Sequence, residues 1–221
     1  MKYKLLILIF IGVFLLSFVN AEENNKTKVL CFGDSITQNF NPQGGAYCNI
    51  LAFLRPDIEV TIKGMPGEGT IDGAERLKKI LKESGKGYYD YILIIEGVND
   101  NAPWNIEKYG NSTPEETAKR LRTMAQKSGR YINKKTFILN FPIYQIGVGW
   151  NPYQKEYISI LEKYDIEKHS LPHRKFYYAD MYNFIKLIYH TEELTYDLVH
   201  PNILGRIRMA QYVSKLIPVK V

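Results

Sequence analysis

Five short apolar stretches recur along the chain: Lys28 to Phe32, Ile58 to Ile62, Tyr91 to Ile95, Thr136 to Phe141 and Lys175 to Ala179. Each is rich in β-branched or aromatic residues, and continuous apolar runs of this length read as strands buried on both faces. Between them lie stretches of helical length, Tyr47 to Leu54, Ile71 to Glu83, Pro114 to Ile132, Pro152 to Lys168 and finally Pro201 to Leu216. The start of the third is well marked. In Ser112-Thr113-Pro114-Glu115-Glu116 a capping hydroxyl, a first-turn proline and two acids near the positive end of the helix dipole all agree. Strict alternation of strand and helix predicts parallel strands joined by right-handed crossovers, and therefore a three-layer α/β/α sandwich of about five strands. In such a sheet the ligand crevice lies beyond the carboxyl ends of the strands.

A sixth apolar stretch differs in kind. Lys2 and Lys4 precede an unbroken run from Leu5 to Val19, which closes on Val19-Asn20-Ala21. That is the form of a secretory signal peptide, and the run is short of the roughly 20 residues a membrane span needs. The expectation is a leader over 1–21, cleaved after Ala21, followed by one domain over 22–221 that is secreted or periplasmic and keeps no membrane span. No repeat, low-complexity tract or linker interrupts the chain after Ala21.

Composition alters this picture little. With 45% hydrophobic and 13% aromatic residues, the 221-residue chain has material for a sizeable core. Its net charge of +6 falls to +4 once Lys2 and Lys4 are removed, leaving 27 basic against 23 acidic residues. There is no long basic run and no basic motif interleaved with aromatics, which argues against a nucleic-acid partner. Cys31 and Cys48 suit a disulfide in an oxidising compartment, while Cys31, inside an apolar strand, equally suits a buried thiol. His169 and His173 have helical spacing, but Pro172 lies between them and no cysteine is near, so no metal site is expected. Asn25-Lys26-Thr27 and Asn111-Ser112-Thr113 match the glycosylation acceptor pattern, which has meaning only in a eukaryotic source.

Four segments carry candidate chemistry. The first strand runs into Gly33-Asp34-Ser35-Ile36-Thr37, placing Ser35 just past a carboxyl strand end. Taken alone, a serine there is a helix cap more often than a nucleophile. After the second strand comes Gly64-Met65-Pro66-Gly67-Glu68-Gly69, whose glycines permit a tight turn with exposed amides that suit an oxyanion; alone it is an ordinary glycine-rich turn. After the third comes Gly97-Val98-Asn99-Asp100, where Asn99 either donates its amide to a developing oxyanion or forms an Asx-turn. Before the last helix comes Asp197-Leu198-Val199-His200-Pro201. In a turn, that spacing brings the Asp197 carboxylate to a ring nitrogen of His200, fixing the tautomer of a general base; otherwise it is simply a helix start with Pro201 in the first turn.

Four motifs in this order, each at a strand end or the final helix start, are hard to ascribe to separate capping accidents. Together Gly33-Asp34-Ser35-Ile36, Gly64 to Gly67, Gly97-Val98-Asn99-Asp100 and Asp197-Leu198-Val199-His200-Pro201 resemble the four blocks of the SGNH, or GDSL-type, hydrolase family. The resemblance covers nearly all of the chain after the leader. It implies a flavodoxin-like sandwich, a Ser35/His200/Asp197 triad, and an oxyanion hole from the Ser35 and Gly67 amides with the Asn99 side chain. Lys63 stands near where the second block often begins with asparagine, and Pro66 precedes the oxyanion glycine, which keeps its own N–H. A serine near the amino end and outside a Gly-x-Ser-x-Gly elbow separates this pattern from the α/β-hydrolase fold.

The expected activity is ester hydrolysis through an acyl-enzyme, with no cofactor, on a small-molecule or polysaccharide ester. Trp104, Tyr109, Tyr144, Trp150 and Tyr153 follow the third and fourth strands. Flat aromatic faces beside a polar site suit sugar rings, so Trp104 and Trp150 are the substrate-binding candidates and a short acyl ester of a carbohydrate the first substrate class. Alternatives are a lipase- or lysophospholipase-like lipid esterase, an O-acyltransferase using the same residues, and a non-catalytic extracellular carbohydrate-binding module.

Overall fold

A computed structural model of the chain describes residues 26–38, 46–141, 144–145, 149–150, 152–167, 176–186 and 194–219. The expected leader, Asn25, His169, His173 and the side chains of Tyr144 and Trp150 lie outside the described residues. Among the described residues no helix is long and apolar enough to cross a membrane.

The five expected strands form one all-parallel sheet. They are β1 (Thr27–Gly33), β2 (Ile58–Gly64), β3 (Tyr91–Ile95), β4 (Lys135–Leu139) and, beyond a short antiparallel pair β5 (Tyr144–Gln145) and β6 (Gly149–Trp150), β7 (Phe176–Ala179). Their order across the sheet is β2-β1-β3-β4-β7. The sequence turns into helix at α1 (Ser35–Gln38), α2 (Tyr47–Leu54), α3 (Thr70–Ser84), α4 (Pro103–Tyr109), α5 (Pro114–Ser128), α6 (Pro152–Glu167), α7 (Met181–Lys186) and α8 (Ile203–Leu216).

Alternation along the strands divides the core into two layers, as a sheet covered on both faces requires. Val29, Cys31, Leu93, Ile95 and Leu139 meet Tyr47, Cys48 and Leu51 of α2 and Met209, Ala210 and Val213 of α8. Leu30, Phe32, Ile92, Ile94 and Ile138 face the other way, onto Leu77 and Leu81 of α3, Leu121 and Met124 of α5, and Tyr157 and Leu161 of α6. The result is the expected three-layer α/β/α architecture. Cys31 and Cys48 form a disulfide that ties β1 to α2, which decides between the two readings of that pair.

Local signals act as expected in α5. The Thr113 hydroxyl accepts from the Glu116 N–H at 3.2 Å, and the Glu116 carboxylate accepts from the Thr113 N–H at 2.9 Å. At the last helix the expectation needs correction. The helix begins at Ile203 rather than Pro201, because Asn202 is its cap, accepting from the Gly205 N–H at 3.0 Å, and Pro201 instead bridges to Thr195. The fifth helix is also shorter than expected, ending at Ser128, after which Arg130 and Tyr131 bond back to Lys127 and Ser128 in tight turns.

Candidate active site

Gly33 ends β1 between Gly64 of β2 and Ile95 of β3. A Cβ on Gly33 would lie 2.1 Å from the Ile95 carbonyl oxygen and 2.4 Å from the Thr37 hydroxyl, so only glycine lets the chain turn here. Asp34 then tightens the turn. Its Oδ1 accepts from the Ile36 N–H at 2.9 Å, and its carbonyl accepts from Thr37 and Gln38. Ser35 is left at the carboxyl edge of the sheet, mostly buried, at the start of α1.

The Asp34 side chain is wholly enclosed, and its Oδ2 has no hydrogen-bond partner among the described residues. Burial raises its carboxyl to about 7, aided by the nearby charges of Glu68 and Asp100 and opposed by the Ile36 N–H. Glu96, equally enclosed at the end of β3, is pushed well above the carboxylate range, again by burial first and then by Asp34 and Glu68.

Asp197 and His200 arrive from the other end of the chain. Leu198 takes a left-handed conformation, φ 69°, uncommon for a branched residue, and this folds 197–200 into a compact turn. Asp197 Oδ1 accepts from the Val199 and His200 N–H groups at 3.1 and 2.6 Å, and Asp197 Oδ2 lies 2.6 Å from His200 Nδ1. Burial works to raise the Asp197 carboxyl, but the His200 main-chain and ring hydrogen bonds outweigh it and hold the group below its ordinary value. On the far side of the ring, His200 Nε2 lies 2.9 Å from Ser35 Oγ, across 165 residues of sequence. The Tyr196 ring stacks on the imidazole, with centroids 5.6 Å apart and planes 17° apart.

The loop after β2 borders the same edge. Gly67 has φ 75°, a left-handed conformation that favours glycine. Neither its N–H nor that of Ser35 meets a backbone acceptor among the described residues. Asn99 Nδ2 donates to the Glu68 carbonyl at 3.1 Å, which uses one of its two amide hydrogens and leaves the other. The loop is therefore tied to Asn99 at one end, and at the other the Met65 N–H donates to the Gly33 carbonyl at 2.8 Å.

The aromatic candidates are distributed differently. Trp104, on α4, is 55% exposed, but its indole N–H donates to the Gly67 carbonyl at 2.8 Å. It therefore braces the glycine turn as well as offering a face to solvent. Tyr109 donates to Asp72, and the Tyr153 hydroxyl meets that of Thr117 at 2.5 Å.

Two residues near the site, Asn105 and Arg76, carried no signal in the sequence, and Asp100, though part of the third motif, carried none for the role it plays. Asn105 donates to both the Gly67 and Asn99 carbonyls, at 3.2 and 2.7 Å. Arg76 grips Glu68. Asp100 accepts from the Thr70 N–H and hydroxyl at 2.6 Å each, from the Thr117 hydroxyl, and from Arg120 at 2.9 Å, so it caps α3 and anchors it to α5.

Residues 31–206 match the model of the GDSL-like lipase/acylhydrolase family. No curated protein matches by sequence. Among solved structures, a catalytic mutant of Axe2, an acetylxylan esterase from Geobacillus stearothermophilus, superposes with TM-score 0.65 at 19% identity, covering 88% of this chain and 95% of that one. A member of the lipolytic G-D-S-L family from Veillonella parvula gives 0.67 at 19% identity, over 86% and 98%. LAE5, described as an alpha/beta hydrolase enzyme from the metagenome of Lake Arreo, gives 0.65 at 18% identity, over 87% and 97%. At these identities the likeness is one of fold.

Proposed function

Since the chain belongs to the GDSL-like lipase/acylhydrolase family and is a carboxylic ester hydrolase, we infer that it is exported and removes short acyl groups, acetyl above all, from carbohydrates. The single observation that carries the mechanism is the 2.9 Å approach of His200 Nε2 to Ser35 Oγ. With Nδ1–H donated to Asp197, Nε2 is left as the acceptor of the serine proton.

Ser35 Oγ attacks the ester carbonyl as neutral His200 takes its proton. The oxyanion is held by the Ser35 and Gly67 N–H groups and the free Asn99 amide hydrogen, all preorganised before the substrate arrives. Collapse expels the alcohol, which receives the proton from His200, and a water activated by the same imidazole then releases the acid. Asp197 orients the ring and stabilises it when charged.

Three features support the substrate class and the location. Trp104, bonded to the Gly67 carbonyl, and Tyr196, stacked on His200, are both about half exposed and suit the flat face of a sugar ring. One structural neighbour is described as an acetylxylan esterase. The Lys2–Ala21 leader pattern and the Cys31–Cys48 disulfide both suit an oxidising compartment outside the cytoplasm. Lipid ester hydrolysis and acyl transfer to another hydroxyl use the same residues.

The test is a panel of acyl esters of increasing chain length, with acetylated xylo-oligosaccharides included, alongside labelling by a serine-directed phosphonate. Turnover should be greatest with acetyl esters, and the label should appear on Ser35. Preference for long acyl chains would overturn the carbohydrate reading, and failure of Ser35 to react would overturn the mechanism.

A further inference from the structure

Arg76 lies on α3, behind the loop that carries Gly67. Its Nε donates to both Glu68 carboxylate oxygens, at 2.8 and 2.9 Å, and its Nη2 adds a third contact to Oε2 at 2.5 Å. Nη2 also donates to the Gly33 carbonyl and Nη1 to the Lys63 carbonyl, each at 3.0 Å. The guanidinium is stacked 4.1 Å from the centroid of the Phe32 ring. One planar cation thus joins the end of β1, two residues before Ser35, to the end of β2 and to the residue after Gly67. The main chain of Glu68, in turn, receives the hydrogen of Asn99.

On the reading of Ser35, Gly67 and Asn99 given above, we propose that Arg76 is a positioning residue that sets the distance between the oxyanion donors and the nucleophile. Its contacts reach both sides of the oxyanion hole and none of its donors is aimed at the Ser35 hydroxyl. A point charge cannot do this work. Neutralising Glu68 needs only a cation, but holding two carbonyls and a carboxylate in one plane needs the fixed fork of a guanidinium. The neighbouring Glu96, whose Oε1 lies 3.9 Å from Nη2, adds a charge reason for a cation here and makes the distinction between charge and shape the point to test.

Arg76→Lys keeps the charge and loses the fork. Donors displaced from the oxyanion weaken the transition state more than the bound ester, so kcat should fall ~10- to 100-fold while KM stays within about twofold. Affinity for methylboronic acid should fall with kcat, because its boron takes the Ser35 oxygen to form a tetrahedral adduct that needs the same donors. Glu68→Gln serves if Arg76→Lys does not fold: it weakens the carboxylate grip, leaves the Gly33 and Lys63 bonds, and should give the same signature at ~10-fold. The inference is overturned if the folded variant keeps kcat within threefold of wild type, or if kcat falls with no matching loss of boronate affinity. A wild-type enzyme that hydrolyses no ester and leaves Ser35 unlabelled would instead overturn the proposed function, and the two failures are distinct.

Discussion

The two halves of the Ser35–His200 contact stand on different ground. Ser35 sits on a turn fixed from all sides, by Gly33 wedged against Ile95, by the buried Asp34 and by a disulfide four residues upstream. His200 sits on a partly exposed turn that holds itself through Asp197, with a left-handed Leu198 at its centre. The nucleophile is positioned by the core, and the base by the four residues of the 197–200 turn. A core-built site is precise but costs stability wherever it encloses a charge, whereas a self-contained turn can be correct locally and still depends on α8 to bring it into range.

The largest effects should come from breaking the contact itself. Ser35→Ala or His200→Ala should lower ester turnover by roughly 10⁴- to 10⁶-fold with the fold intact, and a loss under tenfold in a steady-state assay would remove that residue from the chemistry. Asp197→Asn tests the self-contained side: it keeps the shape of the turn but favours the wrong tautomer, and kcat should fall about 10⁴-fold.

On the core side the effects fall on stability. Asp34 has its native carboxyl raised from 3.8 to about 7, so between those values the folded state holds a proton that the unfolded state has released. Its contribution is fully present below pH 3.8 and is lost as pH rises toward 7 and beyond. Asp34→Asn should flatten that fall, which is on the order of 3 kcal/mol, when unfolding is followed by denaturant at pH 4 and pH 7. An equally steep fall in the variant would assign the dependence to another group. Replacing Cys31 and Cys48 together by alanine should cost about 3 kcal/mol of stability for a loop of this size yet leave kcat within a few fold. A collapse of kcat in the folded variant would mean that the bridge shapes the nucleophile turn.

The smallest change sharpens the comparison from between the two halves. Asn99→Ala should cost about 10²-fold in kcat, since it removes one oxyanion donor and the tie to Glu68 together. A variant with normal turnover and lower stability would make Asn99 a loop brace only.

What the sequence disclosed follows the same division. Strands buried on both faces announce themselves as apolar runs, and the motifs at their carboxyl ends were legible because a parallel sheet collects those ends at one edge. The Asp197–His200 pairing was legible because it is local. Arg76 and Asn105 were not, because their partners lie up to 43 residues away and a charge or an amide on a helix looks like a solvated face. The four-residue α1 and the six-residue α7 were missed because they are too short for any hydrophobic period to show. Trp104 reads as a substrate-binding candidate, and its indole N–H bond to Gly67 has no sequence signature.

The 165-residue interval between Ser35 and His200 has a temporal side. Synthesis proceeds from the amino terminus, so the hydroxyl emerges first and waits through that interval before its base is made. On the mechanism proposed here, no nascent fragment that stops short of His200 can cut an ester, and catalytic competence arrives only once the turn that carries the base has been made and has docked.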